Sequence, residues 1–160
     1  MIVMSKSISG YGLPMSILLF KPELDIWAPG EHNGTFRGNQ LAFVAAKAAL
    51  EFRDEIDLDK VVCEKGKIVK EFIENEILVF HQDLKMRGIG LIWGIDCAAL
   101  GSDFAKQISR ESFKRGLILE RAGREDCVLK ILPPLTIDEE DLIKGLSIIR
   151  DAFTVVLSND

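Results

Sequence analysis

The chain has 160 residues and a mass of 17.8 kDa, with 20 basic and 25 acidic side chains, a formal charge of −5 and 48% hydrophobic residues. That length gives one ordinary domain, or one domain with an attached fragment, and the composition is too apolar for a disordered chain. The acidic balance excludes general binding to nucleic acid or anionic lipid, and no window of about 18 apolar residues is available to span a membrane.

Met1-Ile2-Val3-Met4 is too short for the apolar region of a secretory signal, because Lys6 follows at once. Cys63, Cys97 and Cys127 are odd in number, widely spaced and without metal-ligand spacing. They read as free thiols in a reducing compartment, and the cytoplasm is the expected location. Residues 51–84 hold 5 basic and 10 acidic side chains and so account for the whole net charge. The expected form of that stretch is a solvated helical face.

In chain order, residues 1–4 read as the end of a buried strand, and SKSISGYG over 5–12 as a polar, glycine-bearing turn. PMSILLF over 14–20 is a second strand, closed by Lys21-Pro22. Residues 25–39 form a long loop of the kind that tends to be functional in compact domains. Asn39 is placed to cap an alanine-rich helix over 40–54. Val61, Val62, Ile68, Val69, Phe72, Ile73 and Ile77 predict a second helix over about 59–80. A turn at Met86-Arg87-Gly88 then precedes a strand over 89–96.

Ser102 is the expected cap of a helix that turns Phe104, Ile108 and Ser112 inward and stops at Gly116. Short strands follow at 117–120 and 127–132, around a turn at 122–126. Thr136 with Glu139 predicts a capping box for a last helix over 137–157, with Leu142, Ile143, Leu146, Ile149, Phe153 and Val156 as its apolar stripe. Residues 57–160 thus read as a small α/β domain. Residues 1–56 have two strands and one helix, too few neighbours to close a sheet.

Two segments carry chemistry. Lys6 lies just past a strand in a glycine-bearing turn, where partial desolvation would make its amine nucleophilic toward aldehydes, although most lysines are solvated surface groups. The loop His32-Asn33-Gly34-Thr35-Phe36-Arg37-Gly38-Asn39 places glycines around a threonine ahead of a helix N-terminus. That arrangement suits a phosphate, and by itself could equally be a surface turn.

Taken together, the residues from Met4 to Met15 and HNGTFRGNQLA over 32–42 strongly resemble the class III aminotransferases, pyridoxal-phosphate (PLP) enzymes of fold type I. Met86 to Gly94 is similar to that family's RGxGLxxG strand, and Ser112–Leu117 and Leu129–Leu135 extend the match. The wording GEHNGTFRGN and KILPPLTI is most similar to the diaminobutyrate–2-oxoglutarate aminotransferases of the ectoine pathway.

The resemblance implies L-2,4-diaminobutyrate and 2-oxoglutarate as the amino acid and 2-oxo acid exchanged. Lys6 matches the lysine that holds PLP as an internal aldimine and carries the transferred proton. Thr35 matches the threonine that reaches the cofactor phosphate from the other subunit of a dimer, and Gly34 lets that loop approach closely. Lys130 stands where many members have an arginine on the substrate α-carboxylate, and it lacks that residue's planar fork. Arg121 and Arg124 are nearby cations.

By the same resemblance, residues 1–56 are a remnant of the large PLP-binding domain. The upstream glycine-rich turn, the ring stacked on the pyridine and the aspartate facing its nitrogen are expected to be absent. Two readings follow. The chain is the C-terminal portion of a split or truncated aminotransferase, inactive alone, whose partner is its missing N-terminal half. Alternatively it is a non-catalytic remnant that acts as an oligomerisation or interaction module through its orphaned strands.

Overall fold

A computed structural model of the chain describes residues 1–10 and 12–158. A boundary between Asp57 and Leu58 divides it into two compact units.

In the first unit, β1 (Ile2–Ser5) and β2 (Ser16–Leu19) form an antiparallel ribbon in which Ile2 faces Leu19 and Ser5 faces Ser16. The strand expected to be buried is exposed: Ile2 and Val3 point to opposite faces of the ribbon and are 59% and 74% accessible, so among the described residues neither face is covered there. Helix α1 (Gln40–Glu55) starts where expected, with Asn39 Oδ1 accepting from the Ala42 amide at 3.2 Å.

In the second unit, α2 (Leu58–Phe72) runs on through a π-helical turn at Ile73–Ile77 and a 3₁₀ turn at Leu78–Phe80. The apolar spacing read over 59–80 is therefore one continuous helical path. A four-stranded antiparallel sheet follows, built from β3 (Lys85–Ile89), β4 (Ile92–Asp96), β5 (Glu120–Ala122) and β6 (Val128–Ile131) in the order β3-β4-β6-β5. Helices α3 (Ser102–Lys114) and α4 (Glu139–Leu157) cover one sheet face. Phe153 of α4 is fully buried, its ring 5.7 Å from those of Phe80 and Phe104.

Four local expectations are corrected. The residues read as a turn at 86–88 lie inside β3, and the hairpin turns instead at Gly90-Leu91, between the paired Ile89 and Ile92. Gly90 has φ +55°, the positive angle that a glycine-first two-residue hairpin loop requires. Segment 117–119 is not a strand, because the Leu117 amide closes the end of α3 on the Ser112 carbonyl and the Leu119 carbonyl accepts from Ser109 Oγ at 2.8 Å. Gly101, at φ +87°, caps α3 in place of Ser102. The capping box of Thr136 and Glu139 does not form, since the Ile137 amide turns back to the Pro134 carbonyl and Asp138 occupies the cap. Within the stripe of α4, Ile143 is 41% accessible while Leu142, Leu146, Ile149, Phe153 and Val156 are buried.

The hairpin turn sits directly on α2. A Cβ on Gly66 would stand 2.6 Å from the Gly90 carbonyl oxygen and 2.9 Å from its Cα, and both are backbone atoms with no rotamer to yield. Alanine gains about 1 kcal/mol in helix propensity over glycine, whereas forcing a methyl into a close-packed contact costs about 1–3 kcal/mol. Because the clashing atoms are backbone, the upper part of that range, about 2–3 kcal/mol, applies, and Gly66→Ala is expected to destabilise the second unit by about 1–2 kcal/mol after the propensity gain. Urea unfolding followed by Trp93 fluorescence in a Trp27→Phe background measures it, and an unchanged or higher midpoint would contradict the contact.

Candidate functional site

Lys6 is the first residue beyond β1 and opens a 3₁₀ turn, Lys6–Ser9, with a left-handed φ of +59°. A non-glycine residue there carries about 1–2 kcal/mol of backbone strain, and such strain persists only where neighbours enforce it. Two contacts enforce it here. Ser9 is buried and its Oγ donates to the Leu13 carbonyl at 2.5 Å, which pins the far side of the turn. Gly10, at φ +85°, brings the turn down onto the alanine face of α1, where an added Cβ would lie 2.8 Å from Ala49 Cβ and 3.3 Å from the Ala45 carbonyl.

The expected desolvation of Lys6 is corrected: its side chain is exposed, because it projects into an open concavity. That concavity lies wholly within the first unit and has a volume of about 1400 Å³. Closed ligand pockets fall at about 300–1,000 Å³, so this one is a partly walled surface. Lys6, His32, Asn33, Arg37 and Asn39 are among its polar lining residues, with the Asp25 carboxylate on the same surface, and Gly34 lines it as well.

The loop over 25–39 is built by local contacts. Glu31 Oε2 accepts from the Ala28 amide at 2.7 Å, and Asn33 Nδ2 donates to the Gly30 carbonyl at 3.0 Å. The Arg37 guanidinium donates to the His32 carbonyl, and the His32 ring lies 4.2 Å from that of Trp27. Gly34 lines the concavity, and a Cβ there would meet only the Arg37 side chain at 3.4 Å. Nothing among the described residues thus demands glycine at 34. Thr35 sits on the same turn, exposed and outside the lining. The concavity accordingly brings Lys6 and Gly34 to one surface and leaves Thr35 on another.

Lys130 belongs to the second unit, on β6 directly opposite Glu120 of β5, and its Nζ lies 2.5 Å from Glu120 Oε2. Arg121 faces Asp126 at 3.9 Å. Sequence reading missed Glu120 as the partner of Lys130, because strand register alone opposes them. It also missed Ser9 and Gly10, although the small residues at 42, 45, 46 and 49 mark a helix face that admits close backbone approach.

The donor set at Lys6 fits PLP: a primary amine for the aldehyde, with a guanidinium and a glycine-bearing loop for the phosphate, all on one surface. The family model for aminotransferase class-III matches residues 1–153, and the chain belongs to that family. It is 49% identical over 157 residues to the diaminobutyrate–2-oxoglutarate transaminase of Wolinella succinogenes, covering 98% of this chain and 36% of that protein. With the enzyme of the same name from Halalkalibacterium halodurans it shares 45% identity over 158 residues, again 98% of this chain and 36% of the relative. The chain therefore spans about a third of the length of these relatives.

Among solved structures, acetylornithine aminotransferase from Elizabethkingia anophelis superposes with a TM-score of 0.83 at 28% identity, over 96% of this chain and 40% of that one. Ornithine aminotransferase from Toxoplasma gondii, with PLP at partial occupancy in its active site, shares the fold at a TM-score of 0.88 and 22% identity, over 98% of this chain and 37% of its own.

Two substitutions test the turn, each read by urea unfolding through Trp27 fluorescence in a Trp93→Phe background. Lys6→Gly is expected to be more stable than Lys6→Ala by about 1 kcal/mol, since only glycine relieves the left-handed strain. Equal midpoints would mean that the turn is unstrained. Gly10→Ala is expected to lose about 2 kcal/mol or more, combining a positive φ with a clash on Ala49. A loss below about 0.5 kcal/mol, the ordinary range for surface substitutions, would show that the turn does not bear on α1.

Proposed function

We propose that this chain carries the cofactor lysine and the C-terminal part of a diaminobutyrate–2-oxoglutarate aminotransferase, with PLP held through Lys6. The observation that carries the reading is the seat of Lys6: an exposed amine, fixed in a strained turn past β1, facing a concavity that also holds Gly34 and Arg37. Supporting it are the 45–49% identity to transaminases of that name and the PLP in the Toxoplasma structure.

When bound, PLP supplies an electron sink that makes the proton on the amine-bearing carbon labile. Lys6 is the residue that would hold the group, through its Nζ, and the same amine, when free, would serve as the base for that proton. Gly34, which its own chain does not require, leaves room for a phosphate against the loop backbone, and the Arg37 guanidinium lies on the same surface to offset its charge. Thr35, exposed and outside the lining of the concavity, suits a role toward the site of a second subunit.

Lys130 serves the substrate carboxylate by leaving Glu120. The pair is partly exposed, so the exchange costs little. As a lysine it offers a point charge where arginine would offer a fork, which orients the carboxylate less strictly. Residues 1–56 then belong to the large cofactor-binding domain and the remainder to the small one. We assign the reaction to the cytoplasm, where the free thiols would stay reduced.

The isolated chain is expected to transaminate poorly, since a concavity of this openness excludes little water. The exposed Ile2, Val3, Leu18 and Leu19 favour a second reading in part, that the ribbon is an association surface for a second copy or for a separate N-terminal half.

Incubation with PLP, borohydride reduction and peptide mapping tests the assignment. Saturable labelling confined to Lys6, and abolished in Lys6→Ala, is the expected result. Weak labelling scattered over surface lysines and unchanged by Lys6→Ala would remove the cofactor role from this chain.

A further inference from the structure

Three pairs hold β5 to β6, from Ala122–Val128 to Glu120–Lys130, and the ladder stops there. On one side, residues 117–119 are drawn toward α3, where Ser109 Oγ donates to the Leu119 carbonyl at 2.8 Å and the Leu117 amide donates to the Ser112 carbonyl at 3.0 Å. On the other, Ile131 still pairs with Trp93 of β4, and Pro133 and Pro134 then follow with no amide to extend a ladder. The two segments therefore diverge, and a cavity of about 390 Å³ opens between them against α4. It lies wholly within the second unit and shares no lining residue with the Lys6 concavity.

This volume falls within the range of about 300–1,000 Å³ usual for small-molecule pockets. The walls are apolar, with Leu117 and Ile118 on one side, Leu132 and Pro133 on the other, and the buried Leu146 and Ile149 of α4 at the base. Gly145, inside α4, lines the cavity as well. Glycine is a poor helix former, and packing does not call for it at this position. Beyond its own helix, an added Cβ would meet only Leu117 Cδ1, at an ordinary 3.7 Å. The missing side chain keeps the space between α4 and Leu117 open.

The charged side chains of the lining are Glu120, Lys130 and Asp141. Lys130 Nζ lies 2.5 Å from Glu120 Oε2, so a single cation is set against two carboxylates. A third carboxylate, brought by a ligand, would leave an excess of negative charge whichever of them Lys130 held. An uncharged ligand meets no such repulsion and gains by taking the apolar walls out of water.

We propose that the cavity between residues 117–119, residues 131–134 and α4 is a binding site for a small uncharged apolar molecule, seated over Gly145 between Leu117 and Leu132. The site stands apart from the cofactor role of Lys6 and needs no carboxylate on Lys130. An occupant would abut the Lys130–Glu120 pair, since both side chains line the same cavity.

The test follows backbone amide NMR shifts of the full chain during titration with 4-phenylbutan-1-ol and, separately, with 4-phenylbutyrate, its carboxylate counterpart. Saturable shifts at Ile118, Leu132 and Gly145 are expected with the alcohol. The alcohol should bind more tightly than the acid by about fivefold or more, the effect of one like charge about 4 Å away in water. Gly145→Leu fills the cavity with a better helix former, and should keep the fold while losing about tenfold or more in affinity for the alcohol, as expected when a ring is no longer buried. Ile118→Asp alters a wall residue that is 85% accessible, so it leaves the core intact, and should weaken the alcohol by about threefold or more. Shifts that fail to saturate or spread over the exposed apolar residues of both units, binding of the acid as tight as that of the alcohol, or an affinity unchanged in both variants would overturn the proposal.

Discussion

The second unit depends on a contact in which no side chain takes part. Gly66 of α2 meets the backbone of Gly90 at a distance that excludes even a methyl group. That approach seats the β3–β4 hairpin on the helix, and β4 then serves as the template for β6 through the Trp93–Ile131 to Asp96–Val128 pairs. Strand β6 in turn sets β5 opposite it, which puts Glu120 against Lys130. Lys130, which we propose for the substrate carboxylate, therefore owes its surroundings to a helix–hairpin contact several steps away. The first unit repeats the device on a smaller scale, with Gly10 bringing the Lys6 turn down onto the alanines of α1.

The two contacts have different consequences. In the second unit close packing is satisfied by a closed core, with Phe153 at its centre and α2, α3 and α4 around one sheet face. In the first unit it fixes one strained residue while leaving the ribbon exposed on both edges. Free energy stored as a left-handed lysine is sustained by the Ser9 and Gly10 contacts, an arrangement that suits a residue whose position matters more than stability. The openness of the concavity agrees with the span of the chain, about a third of its relatives' length.

Much of the secondary structure was legible in the sequence, and each miss has a local cause. Apolar spacing placed α2, α3 and α4, since helical periodicity survives small boundary errors, and helix propensity with the Asn39 cap placed α1. The hairpin turn was set two residues early because Gly88 and Gly90 are both plausible punctuators, and only the pairing of Ile89 with Ile92 chooses between them. The strand at 117–119 dissolved because Ser109 and Ser112 claim its backbone groups, a competition that no short window contains.

The sequence by itself determined the family, because its motifs are short, ordered stretches of chain that resemble those of that family, and it offered Lys6 and the glycine-bearing loop as candidate residues. It also determined the helices, whose hydrogen bonds are local. Tertiary structure alone decided that Lys6 is exposed and strained, that Gly34 lines the concavity and Thr35 does not, and that Lys130 is held by Glu120. Each of these is a matter of backbone direction or strand register, and both are fixed by contacts between residues distant in sequence.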